Sequence, residues 1–187
     1  GNNITFNDTL DGPQGLIVVD ADVTTFVGAV GATITTPANG NVPAITNTLA
    51  SLDVTSANGT VFNGAKVYTS GAQSYASPVQ VGDTTTFAGS DISFAQTLTG
   101  SAYDVTLNSQ GLTLLSGDVT VNSLTTDVGG TLEINTANIT TAAAQFYGEA
   151  VTLTHSSLTT LMGNNITFND TLDGPQGLIV VDADVTT

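Results

Sequence analysis

GNNITFNDTLDGPQGLIVVDADVTT fills Gly1 to Thr25, and the same letters return from Gly163 to Thr187, at a numbering offset of 162 (163 − 1). Identity that complete indicates a recent duplication, a designed repeat, or one period of a longer array followed by the start of the next. Arrays need such copies because each unit buries its apolar face only by stacking on its neighbours. The copy therefore predicts a tandem-repeat protein rather than a self-contained enzyme domain.

Short alternating segments make up the copied stretch. Ile4, Phe6 and Leu10 alternate with polar residues, and this period of two is typical of a half-buried strand. The turn residues at 11–15 (DGPQG) follow, and a second strand is predicted from Leu16 to Asp20. Similar short strands, separated by Asn-Gly and Ser-Gly pairs, recur along the chain without the 3.6 periodicity of a helix. These segments predict an all-β protein.

The charge is unusual in kind. Sixteen acidic residues face a single basic one, Lys66, which gives a net charge of −15, yet only 9% of the residues are charged. The polar surface must therefore consist mainly of Thr, Ser, Asn and Gln, and β-branched Thr suits a strand with one wet face. With 40% hydrophobic residues the chain is not a disordered polar tail.

Composition also excludes several partners. A phosphate backbone needs clustered Lys and Arg, so no nucleic-acid partner is expected. An anionic membrane surface would repel this chain, and no apolar run approaches the length of a membrane span, so no direct membrane insertion is expected. The chain has no cysteine. Together with the near absence of trypsin-type cleavage sites, this favours an exported, extracellular protein at a bacterial cell surface.

One period of the repeat itself contains two similar halves. TTFAGSDISF at residues 85–94 corresponds to TTLMGNNITF at 159–168, an offset of 74, and Tyr75 corresponds to Tyr147 at an offset of 72. The first half is longer, with the excess between residues 31 and 49. We therefore predict one full repeat, its halves, an insertion and the start of the next repeat, at residues 1–162, about 1–88 and 89–162, near 31–49, and 163–187.

Two folds fit many short strands: a tandem β-sandwich array and a β-helix. A sandwich array would show hairpin spacing and a linker at each junction, whereas residues 155–163 run straight into the next strand. The pattern favours a parallel β-helix with coils of about 20 residues, since strands and turns are this short.

Several motifs resemble those of a known group of proteins. T-T-[LF]-x-G-x-x-I-x-F occurs at 85–94 and 159–168, S-L-x-V-T leads to G-T-V-F-N-G within 51–64, and VYTSGAQSY fills 67–75. The chain resembles, over essentially its whole length, the β-strand-repeat regions of large bacterial surface adhesins of the filamentous-haemagglutinin and autotransporter-adhesin type. The resemblance implies a right-handed β-helix forming a stalk or fibre outside the cell. It transfers no catalytic or binding residue.

The acidic residues suggest one candidate site. Asp20 and Asp22 stand two apart in VVDADV, and Asp182 and Asp184 repeat the pair. Alternate residues of a strand share a face, so we expect each pair to place its carboxylates side by side. Because Ca²⁺ takes six to eight oxygen ligands, these four aspartates are candidate calcium ligands, and the alternative interpretation is solvated acidic turns without a metal. No other cofactor is expected.

Catalysis is not predicted. His155 is the only histidine, and no G-x-S-x-G motif accompanies it, so a solvated strand-end histidine is expected. Asp20 and Asp22 are neighbours on one predicted strand, whereas glycosidase carboxylates flank the substrate. Tyr75, Tyr147 and six phenylalanines are predicted to stack inside the helix, at positions 6, 26, 62, 87, 94 and 146.

The sequence therefore predicts a structural or adhesive protein, a rigid extracellular fibre or stalk made of β-solenoid repeats. Its expected partners are other copies or repeats of itself end to end, and glycans or proteins on a host or neighbouring cell. Two alternatives remain open. One is a calcium-dependent glycan- or cell-binding module with its site in the insertion at 31–49, and the other is a β-helix carbohydrate-active enzyme.

Overall fold

A computed structural model describes residues 2–31, 33–35, 44–46 and 48–183. These residues form strands, bends and turns and contain no helix. Within the described ranges there is accordingly no helix of the length and apolarity needed to cross a membrane.

The strands are short, as the sequence predicts, and most have three to five residues. They are β1 (Ile4–Phe6), β2 (Leu16–Asp20), β3 (Thr24–Phe26), β4 (Thr33–Thr35), β5 (Ala44–Thr46), β6 (Leu52–Ser56), β7 (Thr60–Phe62), β8 (Lys66–Tyr68), β9 (Gln73–Tyr75), β10 (Val79–Val81), β11 (Thr85–Gly89), β12 (Ile92–Phe94), β13 (Leu98–Ser109), β14 (Leu112–Leu115), β15 (Val119–Thr126), β16 (Thr131–Ile134), β17 (Asn138–Thr141), β18 (Gln145–Tyr147), β19 (Ala150–Leu153), β20 (Thr159–Gly163), β21 (Ile166–Phe168), β22 (Leu172–Asp173) and β23 (Leu178–Asp182).

Successive turns of the chain stack as a parallel β-helix with three faces. The first face is built from β1, β3, β7, β10, the start of β13, the start of β15, β17, β20 and β23. The second face contains bridges at Leu10 and Val30, then β8, β11, the ends of β13 and β15, β18 and β21. The third face is an eight-stranded sheet of β2, β6, β9, β12, β14, β16, β19 and β22. The chain visits the three faces in that order about eight times.

Two long strands join the first and second faces into one sheet. β13 and β15 turn the corner between the two faces without ending, and their pairing shifts register between Gly100 and Asp104. All pairs within the three faces are parallel. The predicted parallel β-helix is thus confirmed, and the sandwich alternative, which needs antiparallel hairpins, is wrong.

The turns have nearly constant length with one exception. From β6 onward, strands of the third face begin at positions 52, 73, 92, 112, 131, 150 and 172, so each turn advances the numbering by 19 to 22. The first turn advances it by 36 (52 − 16). The excess lies between Val30 and Leu49 and includes the antiparallel pair β4 and β5. The insertion predicted near 31–49 falls on this segment, of which residues 32, 36–43 and 47 lie outside the described part of the chain.

Side chains that point inward stack on the equivalent side chains of neighbouring turns. Phe26 lies between Phe6 and Phe62, with ring centroids 4.9 Å apart on each side and nearly parallel planes. Tyr75 and Phe94 stack in the same way at 5.0 Å. Stacking follows from the register, because parallel strands place the same inward position of each turn directly above the last. These columns form one continuous core along the axis.

The predicted aromatic core is confirmed for six of its eight members, which are 0–1% exposed: Tyr75, Tyr147, Phe26, Phe62, Phe87 and Phe94. Phe6 is partly buried and belongs to the stack. The prediction is wrong for Phe146, which alternates outward between the buried Gln145 and Tyr147. Two aromatic residues in sequence cannot share one side of a strand.

Phe62 is expected to be among the most costly core positions. It stacks on Phe26 and meets Tyr75 and Phe87 edge to face. Because Phe62 packs against rings of the preceding and the following turn, the Phe62→Ala substitution should lower the free energy of unfolding by about 3–5 kcal/mol. Denaturant unfolding measures this change. Phe146→Ala, the matched control at an outward position, should cost under about 1 kcal/mol, and equal losses in the two variants would contradict the assigned register.

Candidate functional site

The predicted calcium ligand Asp20 serves the backbone of its own coil. Its carboxylate accepts the N–H of Ile4 at 2.8 Å, the N–H of Asp22 at 3.2 Å and the hydroxyl of Thr24 at 3.3 Å. Burial raises the pKa of Asp20, but these donors outweigh it and hold the pKa below its ordinary value. The Asp20 carboxylate therefore links the start of its coil, at Ile4, to the residues that follow β2.

Asp22 and Asp182, the other predicted ligands among the described residues, do not form a metal-holding cluster with Asp20. β2 ends at Asp20, and Asp22 lies in the bend between β2 and β3. The expectation that both share one strand face is therefore wrong. Asp22 accepts the side-chain N–H of Asn58 at 2.8 Å. Asp182 accepts the N–H groups of Asn165 and Ile166, each at 3.0 Å, and Asp184 lies outside the described residues.

No group of three or more His, Cys, Asp or Glu that could hold a metal ion occurs in the part of the chain that the structure describes. Calcium binding at these aspartates stays a prediction. The donors present are backbone and side-chain N–H and O–H groups, which compete with a cation for the same carboxylate oxygens.

Other aspartates connect neighbouring turns, a role that the sequence reasoning missed. Asp91 accepts the N–H of Leu112, which lies 21 residues further on, at 2.9 Å. Asp104 accepts hydrogen bonds from Asn122 and Ser123, both at 2.7 Å. Each link spans one turn, so the sequence signal is an Asp followed by a donor residue about one coil length later.

The pKa values of these aspartates follow from the links. The Leu112 N–H and the Ser90 hydroxyl lower the pKa of Asp91, and the Ser123 hydroxyl and the Asn122 amide lower that of Asp104. Their folded state therefore favours the charged form, and the stability they contribute is lost as pH falls through the folded pKa. These carboxylates act as ties between turns.

Asp118 combines the same role with a place beside the single histidine. It accepts hydrogen bonds from Thr136 at 2.6 Å and from the backbone and side chain of Asn138 at 3.0 Å. Burial raises the pKa of Asp118, but these donors and the charge of His155 lower it by more, so the pKa lies below its ordinary value. Ser157 Oγ lies 3.3 Å from His155 Nδ1 in the exposed turn after β19. The Asp118 carboxylate therefore links its turn to the next through Thr136 and Asn138.

Two corners contain an identical buried polar network. Gln73 Nε2 donates to the Val67 carbonyl at 3.0 Å and to the Ala88 carbonyl at 2.8 Å, and the Tyr75 hydroxyl donates to Gln73 Oε1 at 2.9 Å. Thr69 completes the network by donating to the Gly71 carbonyl at 2.7 Å. Burial raises the pKa of Tyr75 well above its ordinary value. The Gln73 amide thus gives the Ala88 carbonyl, which already accepts the Thr69 N–H at 2.9 Å, a second donor, and the buried polar groups of the network are paired with one another.

The second network repeats the first at equivalent residues. Gln145 donates to the carbonyls of Ile139 at 3.4 Å and Met162 at 2.8 Å, and Tyr147 donates to Gln145 at 2.8 Å. Thr141 again donates two residues ahead, at 2.7 Å. The motif T-x-[GA]-A-Q-x-Y therefore specifies a corner of the β-helix.

Glu149 is the one buried carboxylate whose two oxygens have no hydrogen-bond partner among the described residues. It precedes β19 and is 1% exposed. Burial, together with the charge of Asp127, raises its pKa to about 7. The Thr126 hydroxyl, which accepts the Gly148 N–H at 3.2 Å, is close enough to lower the pKa of Glu149 but makes no hydrogen bond of ordinary geometry to its carboxyl, so it offsets only part of this rise. Glu149 thus favours a protonated state in the folded protein.

One open groove lies beside the foot of the insertion, where the second and third faces meet. It encloses about 320 Å³. Six of its nine lining residues are Thr, Ser, Asn or Gln, and Tyr68 is the one aromatic residue among them. The lining residues are Thr48, Tyr68, Thr69, Ser70, Ala88, Gly89, Ser90, Asn108 and Gln110. Its volume is at the lower end of the range for small-molecule sites.

Glu149 makes the free energy of unfolding decrease as pH rises, which is opposite to the effect of the aspartates. Its pKa rises from 4.5 to about 7 on folding, so the stability present below pH 4.5 is lost as pH rises through about 7. Glu149→Gln should remove this loss and, allowing for solvent screening, stabilise the protein by about 1–2 kcal/mol at about pH 8.

Urea unfolding of both proteins across that pH range measures the effect. Asp127→Asn is the comparison variant, because it removes the neighbouring charge but keeps an oxygen that can accept the Ser109 N–H. In the Asp127→Asn background, the stability that Glu149→Gln adds at about pH 8 should be smaller than in the parent but should not disappear. If the parent gained stability relative to Glu149→Gln between about pH 5 and 8, the raised pKa assigned to Glu149 would be contradicted.

Comparison with known proteins adds no identity to this geometry. No protein-family model, no curated protein and no solved structure matches the chain. The parallel β-helix and its tandem repeat are established by the sequence and the fold alone.

Proposed function

We propose that the chain is a segment of a rigid extracellular fibre or stalk, in which tandem β-solenoid repeats join end to end and support attachment at a bacterial cell surface. The fold is compatible with structural and adhesive roles. The proposal rests on how the repeated sequence LIVVD pairs in its two positions.

The two copies of LIVVD use opposite edges. In the first copy, Leu16–Asp20 pairs over five residues with Leu52–Ser56, which belongs to the following turn. In the second copy, Leu178–Asp182 pairs over five residues with Thr159–Gly163, which belongs to the preceding turn. The same strand can therefore be hydrogen-bonded on both sides. A chain of further repeats would extend the sheets without a new type of contact.

Surface composition supports an exposed structural role. Lys66, the only basic residue of the chain, is half-buried in β8, so trypsin-like proteases find one cleavage residue in 187. Outward positions carry mainly Thr, Ser and Asn, which keep the sheets wet at low charge density. The resemblance to filamentous-haemagglutinin and autotransporter-type adhesins supports the proposed location and the attachment role.

The groove beside the insertion favours a second candidate function. In this function the chain is a calcium-dependent glycan- or cell-binding module. Tyr68 offers a ring that can pack on a sugar, and Ser70, Ser90, Asn108 and Gln110 offer hydrogen bonds. Few positively charged groups are present, so a neutral glycan fits better than an anionic one.

Electron microscopy of the purified protein tests the leading proposal. The repeat spans seven turns and one further face, and turns stack about 4.8 Å apart, so rods should show a repeat of about 35 Å. Unbranched rods with that spacing support the fibre. Compact particles, or beads with a much shorter spacing per repeat, would overturn it.

A glycan array tests the second candidate. If the groove binds sugar, neutral glycans should be captured, and Tyr68→Ala should reduce binding at least about tenfold through lost ring contact. Tyr103→Ala, at a partly buried tyrosine outside the groove, is the matched control and should bind normally. Equal binding by the two variants would remove the groove from consideration, and adding a chelator decides whether calcium contributes.

A further inference from the structure

The identical copies lie on different faces of the helix. Ile4–Phe6 belongs to the first face, where it pairs with Thr24–Phe26. Its copy, Ile166–Phe168, belongs to the second face, where it pairs with Gln145–Tyr147. The next segment behaves in the same way, since Leu16–Asp20 is on the third face and Leu178–Asp182 is on the first. Each copied strand has advanced by one face.

Local contacts of the coil agree in both copies over the described residues. Asn3 and Asn165 both adopt left-handed backbone angles, with φ of 59° and 54°. The Asp20 carboxylate accepts the Ile4 N–H at 2.8 Å, and Asp182 accepts the Ile166 N–H at 3.0 Å. Since the local contacts agree, the second copy is rotated about the axis as a unit rather than refolded.

The two halves of the repeat show the same relation independently. The network of Gln73 and Tyr75 is on the third face, and the equivalent network of Gln145 and Tyr147 is on the second. One half-repeat therefore moves a motif back by one face. Two such steps on a three-faced helix equal one face forward, which is the relation between the full copies.

We propose that successive repeats are related by a screw of seven turns and one face, so that each repeat is rotated by about a third of a turn from the last. This inference rests on the proposed fibre of tandem repeats and adds its symmetry. With turns about 4.8 Å apart, a given residue returns to the same face only after three repeats, about 105 Å along the axis.

The rotation changes what the fibre presents to a partner. Ile17 and Val19 are 73% and 69% exposed on the third face, and their copies Ile179 and Val181 are 43% and 45% exposed on the first. If the repeats were in phase, these pairs would recur along a single face and favour lateral packing of fibres. Rotation spreads them over three sides.

The insertion is distributed in the same way. Its two attachment points, Val30 and Leu49, lie at the junction of the second and third faces, so successive repeats place these attachment points on three sides. A second fibre lying along one face would meet the same insertion only once in three repeats.

Spin-label distances in the whole chain test the rotation. The chain contains no cysteine, so introduced cysteines are the only labelled sites. Thr167, the copy of Thr5, is paired through Phe146, Thr125 and Thr106 to Thr86 on the second face, four turns away. Four turns below Met162 on the first face lies Gln80. The two double variants are Thr86→Cys with Thr167→Cys and Gln80→Cys with Thr167→Cys.

If the repeat is rotated, the Thr86–Thr167 pair should give the shorter distance, about 20 Å, and the Gln80–Thr167 pair a distance longer by several ångströms. The opposite order would place Thr167 on the first face and overturn the rotation. Gln80→Cys with Met162→Cys is the control on one face and should give about 20 Å. If this control fails, the solenoid fibre itself is wrong, so the two failures are distinguishable.

Discussion

Register between parallel turns is the constraint on which the rest of the structure depends. Each strand donates and accepts along the axis, so a turn can pair only if its strands begin at the same position around the axis as those of the turn before. Once register holds, equivalent inward positions coincide, and Phe6, Phe26 and Phe62 stack with a spacing close to that between strands. Backbone pairing and core packing are therefore one requirement.

The corners carry the polar side chains that this requirement creates. A chain that bends three times per turn leaves carbonyl and N–H groups without strand partners, and burying them unpaired is costly. The buried amides of Gln73 and Gln145 donate to carbonyls of the neighbouring turn, whereas Asp91, Asp104 and Asp118 accept hydrogen bonds from donors of the next turn. This explains how a protein of net charge −15 tolerates its acidic residues, since several carboxylates are held by hydrogen bonds between turns.

Much of the fold could be predicted because its signals are local. Alternation at Ile4 and Phe6 indicates strands, and the numbering offsets between matching segments indicate repeats, with no knowledge of contacts. The candidate site was less predictable. Asp20 and Asp22 were expected on one strand face, but β2 ends at Asp20, and hydrogen bonds to Ile4 and Thr24 engage the carboxylate. Such partners lie 4 to 16 residues away and are not visible in strand periodicity.

The sequence alone determined the strands, the repeat and the coil length, because alternation and copying are properties of neighbouring letters. Only the tertiary structure decided which face each segment occupies. A face is set by the summed length of all preceding turns, and the unequal turns, one of them enlarged between Val30 and Leu49, do not divide the period into whole turns. Identical sequences, Leu16–Asp20 and Leu178–Asp182, therefore form the same local strand and lie on different sides of the helix.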